Sequence, residues 1–221
     1  MDEWSIIWQQ KEAFITGFQT TMVIFVLSSI ISFAIGICLL YALENIKGPF
    51  KTAITVSINT MRTLPFLILV YLLYYGLPQV GIRMDAWMAG LISLSVYHGM
   101  YYCEIFRGMR KGLDSGYIEA AQTHGFSKFN IFRRIVMPNV LFKSIPLIAN
   151  QLIIGLKDTA FLSIITVGEI TAAANSVQST YFIPLNAFII AIALYWIISI
   201  GVEQIARKLT GTVQKRGLSY A

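Results

Sequence analysis

From Phe14 through Leu43 the chain carries no charged residue. As a helix this run would extend about 45 Å, enough to cross a hydrocarbon core of about 30 Å with tilt. Lipid offers no hydrogen-bond partners, so a backbone crossing it as a single segment must bond to itself as a helix. The rest of the chain repeats the constraint: 56% of residues are hydrophobic and 13% charged, where soluble domains carry about 25% charged residues. With a mean hydropathy of +0.66, the expectation is an all-α, polytopic membrane protein of one domain.

Five spans are expected. Span 1 is Phe14–Leu43, where Ser28, Ser32 and Gly36 recur at i, i+4 and i+8. They form either a stripe for close helix approach or scattered small residues. The Gly48-Pro49 turn leads to span 2, Thr52–Leu77, in which Pro65 should kink or break the helix. Arg62 lies about 12 Å into this span. It faces the bundle interior or snorkels to the interface. Span 3, Trp87–Met109, places His98 near its middle, beside Tyr97, Tyr101 and Tyr102. His98 reads either as a hydrogen-bonded interior group or as part of a pathway lining. Span 4, Val140–Ile165, is interrupted by Lys157-Asp158-Thr159 after Gly155. These charges mark a helix break lining a cavity, or the outer interface. Glu169–Leu185 reads as an extramembrane or re-entrant connection. Span 5 is Asn186–Ile205, with residues 207–221 as a tail.

Covalent chemistry finds no foothold. Cys38 and Cys103 both sit in apolar runs, no metal-ligand spacing links them to His98 or His124, and no nucleophile elbow or phosphate-binding glycine loop occurs. The net charge of +6 reads as loop bias rather than as a nucleic-acid surface. Residues 1–13 combine Trp4 and Trp8 with acidic residues, as an interfacial segment would. With no basic leader and a long apolar run, no cleaved signal peptide is expected.

Five spans put the termini on opposite sides. The 44–51 loop, the 107–143 stretch and the 207–216 tail then share one face and hold 13 of the 17 lysines and arginines. The other face holds Lys11 and Arg83, with Arg62 and Lys157 inside spans. The positive-inside rule places the N-terminus outside and the C-terminus in the cytoplasm.

That puts Tyr117–Pro138 in the cytoplasm. Ile118, Ala121 and Gln122 share a helical face, with Ala120 beside them. Gly125 can adopt positive φ and end a short helix. Phe126, Phe129 and Phe132 offer aromatic anchors, and Pro138 suits the start of the next span. Such an element fits a groove in another protein, or lies on the membrane as an amphipathic helix.

Glu119-Ala120-Ala121, Gly125 and the run from Ile135 to Met137-Pro138 resemble the EAA loop of ABC-importer permeases. Arg62-Thr63-Leu64-Pro65, Tyr74-Tyr75-Gly76-Leu77-Pro78, Tyr101 with Glu104-Ile105-Phe106-Arg107-Gly108, and Leu156-Lys157-Asp158-Thr159 also resemble stretches of that family, in order over about 14–209. The chain is similar to permeases of the polar amino-acid uptake (histidine/glutamine/arginine-type) subfamily. It departs at Leu64, where the family usually has threonine. It departs again at Gly116-Tyr117, where Gly-Gln is usual, and at His98, where small polar residues are common.

The resemblance implies one permease domain over 14–209, followed by a cytoplasmic tail over 210–221, in a bacterial plasma membrane. It implies partners: ABC ATPase subunits that bind Mg-ATP, a second permease copy or paralogue, an extracytoplasmic solute-binding protein, and membrane lipid. No cofactor is expected in this chain, and no enzymatic step. Glu119, Ala120, Ala121 and Gly125 would couple to the ATPase. Arg62, His98, Tyr101, Lys157, Asp158 and Thr159 would line the solute pathway. Against this stand a secondary transporter or channel, which would need more midplane acids, and a non-transporting scaffold.

Overall fold

A computed structural model describes residues 2–215, with side chains through 212. Among these residues there is no strand. Three stretches are long and apolar enough to cross a membrane: Lys11–Asn45, Lys128–Ile165 and Pro184–Thr212. The pair Pro49–Thr63 and Phe66–Val80, bent by 106°, makes a fourth if it counts as one crossing.

Helix α1 (Glu3–Gln9) buries Ile7 and leaves Trp4 and Trp8 exposed, with the Lys11 ammonium 4.7 Å from the centre of the Trp8 ring. After Gln10, α2 (Lys11–Asn45) runs unbroken for 35 residues. Its Ser28, Ser32 and Gly36 are all buried, so the spacing was a packing stripe. It lies along α5 (Ala86–Lys111), the most extensive helix pair in the molecule. A Cβ on Gly36 would stand 2.6 Å from Tyr102 Cβ, and one on Gly99 would stand 2.7 Å from Ile35 Cγ2. The two backbones approach to a distance that only glycine allows. At 26 residues α5 is long enough to cross, but its tyrosines, His98, Glu104 and Arg107 keep it out of the most apolar set.

Span 2 is broken rather than kinked. α3 (Pro49–Thr63) ends at Leu64, and α4 (Phe66–Tyr71) begins after Pro65, with both intervening residues extended. Proline disfavours helical backbone at the residue before it and lacks the N–H the ladder needs. α4 continues through a π turn (Leu72–Gly76) and a 3-10 turn (Leu77–Val80), closed by Gly81 at φ +87°.

α6 (Ser115–Thr123) leads into α7 (Lys128–Ile131), a π turn (Phe132–Val136) and α8 (Met137–Asp158). Here the expectation for Pro138 fails. The span does not start there. It starts at Lys128, capped by Ser127, whose Oγ accepts from Asn130 N at 3.3 Å. Wider-spaced π bonding just before Pro138 accommodates a residue that cannot donate. α8 tightens at its far end into a 3-10 segment, Thr159–Ile165.

Two further boundaries change. The connection Glu169–Leu185 contains a helix, α9 (Ile170–Tyr181), which buries Ile170, Ala173, Ala174 and Val177 against α2 and α10. The expected tail is helical through Lys215, because α10 spans Pro184–Lys215. The remainder of that tail, 216–221, lies outside the described residues.

Candidate functional site

The break at Leu64-Pro65 frees carbonyls that a continuous helix would have bonded, and α5 satisfies two of them. Tyr97 donates its hydroxyl to the Leu64 carbonyl at 3.1 Å, and Tyr101 donates to the Arg62 carbonyl at 3.0 Å. The two hydroxyls lie 3.4 Å apart. An interrupted helix within a membrane protein persists only where neighbours supply such partners.

Arg62 is half-buried. Its guanidinium sits 5.3 Å from the centre of the Tyr101 ring, and Nη1 is 3.8 Å from Glu104 Oε2. Glu104 also holds Arg107 at 2.8 Å. The Arg62 charge is thus shared along one face of α5.

His98 is buried between α5 and α8. Its Nδ1 lies 2.7 Å from the amide nitrogen of Gln151. With that amide donating, Nδ1 accepts and the ring proton sits on Nε2. Nε2 stands 3.3 Å from Asp158 Oδ2. The distance suits a hydrogen bond but the angle does not, leaving this buried nitrogen underpaired. Gly155 makes room for the ring, since a Cβ there would meet imidazole atoms at 3.4–3.5 Å. Phe66, the first residue of α4, places its ring 6.2 Å from the imidazole and 5.2 Å from Tyr97. The sides of the broken helix and the end of α8 thus meet across Tyr97, His98 and Tyr101.

Four of the six expected pathway residues fall into this neighbourhood: Arg62 with Tyr101, and His98 with Asp158. The other two separate from them. Lys157 is exposed. Thr159 is fully buried and donates to the Leu156 carbonyl at 2.7 Å, tying the α-to-3-10 transition together. Gln151 was missed, although Gln151, Gly155 and Asp158 follow i, i+4 and i+7 on one helix face. Glu169 was missed as well. Fully buried, it caps α9 by accepting from Ala172 N and Thr171 N at 2.7 and 2.8 Å, and from the Tyr195 hydroxyl at 2.6 Å.

The second candidate surface is α6. Asp114 caps its start by accepting from Gly116 N. At its end Gly125 takes φ +76°, with Phe126 N bonded to the Ala121 carbonyl and Gly125 N to that of Gln122. This is the Schellman arrangement, which needs a left-handed residue where Gly125 stands. Ala121 is buried in the bundle, packed with Phe106, Ile131 and Phe132, whereas Glu119 and Ala120 are exposed. Phe132 is also buried, with its ring centre 4.8 Å from that of Tyr41. It anchors the element to its own bundle, leaving Phe126 and Phe129 outward.

Residues 34–214 match the family described as the inner membrane component of binding-protein-dependent transport systems. The chain is similar to the probable glutamine ABC transporter permease protein GlnP of Bacillus subtilis (strain 168), 31% identical over 208 residues, or 91% of this chain and 94% of that one. It is 28% identical to the glutamine transport system permease protein GlnP of Escherichia coli (strain K12) over 210 residues, covering 94% and 95%. A crystal structure of an amino acid ABC transporter with histidines superposes with a TM-score of 0.85 at 25% identity, covering 96% of this chain and 99% of that one. The inward-facing MetNI methionine ABC transporter shares the fold, at a TM-score of 0.72 and 19% identity over 95% and 100% of the two chains. The family match over most of the sequence and the likeness to these relatives agree: this chain belongs to the binding-protein-dependent transport system inner membrane components.

Proposed function

We propose that this chain is the permease subunit of an ATP-driven importer for a polar amino acid, working in a bacterial plasma membrane. The amino-acid class is supported by the two glutamine permeases and by the amino acid transporter with histidines. In this reading the chain crosses five times: α2, the broken pair α3–α4, α5, α8 and α10. The N-terminus faces outside and the C-terminus the cytoplasm, which the loop charges support.

The observation that carries the reading is α6. It is nine residues long, capped at both ends, and fastened inward by Ile118 and Ala121, so Glu119 and Ala120 are held outward as a rigid knob. That geometry suits insertion into a partner groove. The partners are two ATPase subunits, which bind Mg-ATP and hydrolyse it, a second copy or paralogue of the permease, and an extracytoplasmic solute-binding protein. This chain carries no cofactor and catalyses no reaction. Residues 14–209 form the working domain, with 1–13 as its interfacial lead.

Within the pathway, Asp158 receives the solute ammonium in competition with His98 Nε2, and Arg62 or Lys157 faces its carboxylate. Tyr101 and Tyr97 hold the broken helix open beside them.

Glu119→Lys reverses the outward charge of α6, and Gly125→Asp puts a side chain at positive φ. Both should abolish ATP-dependent uptake in proteoliposomes while the permease still extracts and runs as a folded species. Undiminished uptake with both substitutions would sink the docking role.

A further inference from the structure

Between the inner side of α6 and the ends of α2 and α5 lies a cleft of about 440 Å³. Its rim carries Lys51, Arg107, Arg110, Lys111 and Lys128, against one carboxylate, Glu44. Glu44 pairs with Arg110, and Arg107 with Glu104. Among the described residues, Lys51, Lys111 and Lys128 have no carboxylate within ion-pair distance. Nε of Arg107 is buried without a hydrogen-bond partner, whereas Nε of Arg110 faces the Glu44 carboxylate. A buried guanidinium N–H left unpaired is costly, and Arg107 carries one at this cavity.

We propose that this cleft holds the phosphate of an anionic phospholipid headgroup. The chemistry asks for an anion with several acceptor oxygens, since the Lys51, Lys111 and Lys128 ammonium groups and the free Nε–H of Arg107 line it. The floor decides the source. Leu40, Leu43 and Ile131 line it with hydrocarbon, which a free inorganic ion does not need and a lipid glycerol region does. Phe50, next to Lys51 in the chain at the start of α3, is 75% exposed. An acidic segment of a partner protein fits less well. The cleft lies on the bundle side of α6, where Ile118 and Gln122 line it, and the face offered to a protein partner carries Glu119. Basic pockets of this kind at the cytoplasmic membrane face recognise lipid headgroups. The inference rests on the cytoplasmic placement proposed above. Its consequence is that α6 is seated on the bundle partly through lipid.

The test is lipid retention. The full chain is reconstituted in nanodiscs of equimolar phosphatidylglycerol and phosphatidylcholine, extracted in mild detergent, and weighed by native mass spectrometry. Wild type should keep phosphatidylglycerol and shed phosphatidylcholine. With each basic residue contributing about fivefold in affinity, Lys51→Gln/Lys111→Gln/Lys128→Gln together should weaken retention roughly a hundredfold. The corresponding triple arginine variant should restore it, and Lys208→Gln, on α10, should leave it unchanged. Equal retention of the two lipids by wild type overturns the proposal, as does undiminished retention in the glutamine triple. So does equal loss in the glutamine and arginine triples, which would make the effect structural, or equal loss in Lys208→Gln, which would make it general surface charge. Displacement of the lipid by excess inorganic phosphate would identify a free-anion site instead. Loss of ATPase co-purification by the glutamine triple, with lipid retention intact, would identify a protein-facing one. Failure of the transport reading would appear separately, as absent uptake, because retention is measured without ATP or solute.

Discussion

Replacing Asp158 with asparagine keeps the side chain's size and removes its charge. In the proposed pathway that carboxylate receives the solute ammonium, a charge-assisted contact contributing about 1.5–3 kcal/mol, or roughly 10- to 150-fold in occupancy. The carboxylate is free to make it, because the His98 contact at 3.3 Å is too poorly aligned to hold it. The fold should hardly notice, since asparagine keeps the shape and the poorly aligned His98 contact gives no hydrogen bond to lose, so the loss stays below about 1 kcal/mol. In the proposed importer, capture of solute from outside falls to the binding protein, so the effect belongs to the maximal uptake rate rather than to KM. The assay is ATP-dependent uptake in proteoliposomes containing the full transporter, normalised to permease content, with the thermal midpoint measured in parallel. The expected result is a maximal rate at least about tenfold lower at an unchanged midpoint. Gln151→Leu provides the contrast. It strips His98 Nδ1 of its partner and should cost about 1–3 kcal/mol of stability, lowering the midpoint with a smaller loss of rate. Wild-type uptake by Asp158→Asn at equal permease content would remove Asp158 from the pathway.

Gly36→Val should lower the thermal midpoint. Overpacking against Tyr102 costs about 1–3 kcal/mol, only partly offset by removing a helical glycine, whereas Gly201→Ala meets nothing within 4 Å and should be neutral or better. Tyr97→Phe with Tyr101→Phe leaves the carbonyls of Leu64 and Arg62 unpaired and should cost about 1–3 kcal/mol, read as faster amide hydrogen exchange around the break. Glu169→Ala removes the α9 cap and the Tyr195 partner together, and should lower stability by about 2–3 kcal/mol in the same thermal assay.

What the sequence made legible was local chemistry. Pro65 ends a helix because of its ring and missing N–H, and Gly125 ends another because a left-handed turn excludes most side chains. Both acts are written in one or two residues. The packing stripe on α2 was legible as a spacing, but its partner was not: Gly36 needs Tyr102, which lies far along the chain. α9 was hidden for a different reason. Its buried face, Ile170, Ala173, Ala174 and Val177, has clear helical spacing, but two of the four are alanines, and they register weakly beside Asn175, Ser176 and Gln178. Pro138 misled because proline usually opens helices, whereas a π turn here lets it sit inside one. The site divides in the same way. Arg62, His98, Tyr101 and Asp158 stood out as polar groups in apolar runs, but pairing His98 with both Gln151 and Asp158 required α8 to be folded against α5.

The proposed pathway cluster and α6 share α5, and the mechanics of the proposal follow from how α5 is held. Ala121 of α6 packs in one core with Phe106 and Tyr102, and Phe106 lies about 12 Å along α5 from His98. A displacement of α6 therefore enters α5 close to the site. α5 cannot absorb it against α2, where glycine brings the backbones to contact and the interior is close-packed. The compliant part is the other side. At the extended Leu64-Pro65 link the carbonyls of Arg62 and Leu64 lie outside the helical ladder, and they bond to α5 through two tyrosine hydroxyls, each contributing about 1 kcal/mol. A few kcal/mol delivered at α6 exceeds what those two bonds resist. In the proposed coupling the joint that yields first is then the one beside Arg62, His98 and Asp158, where the proposed passage changes shape.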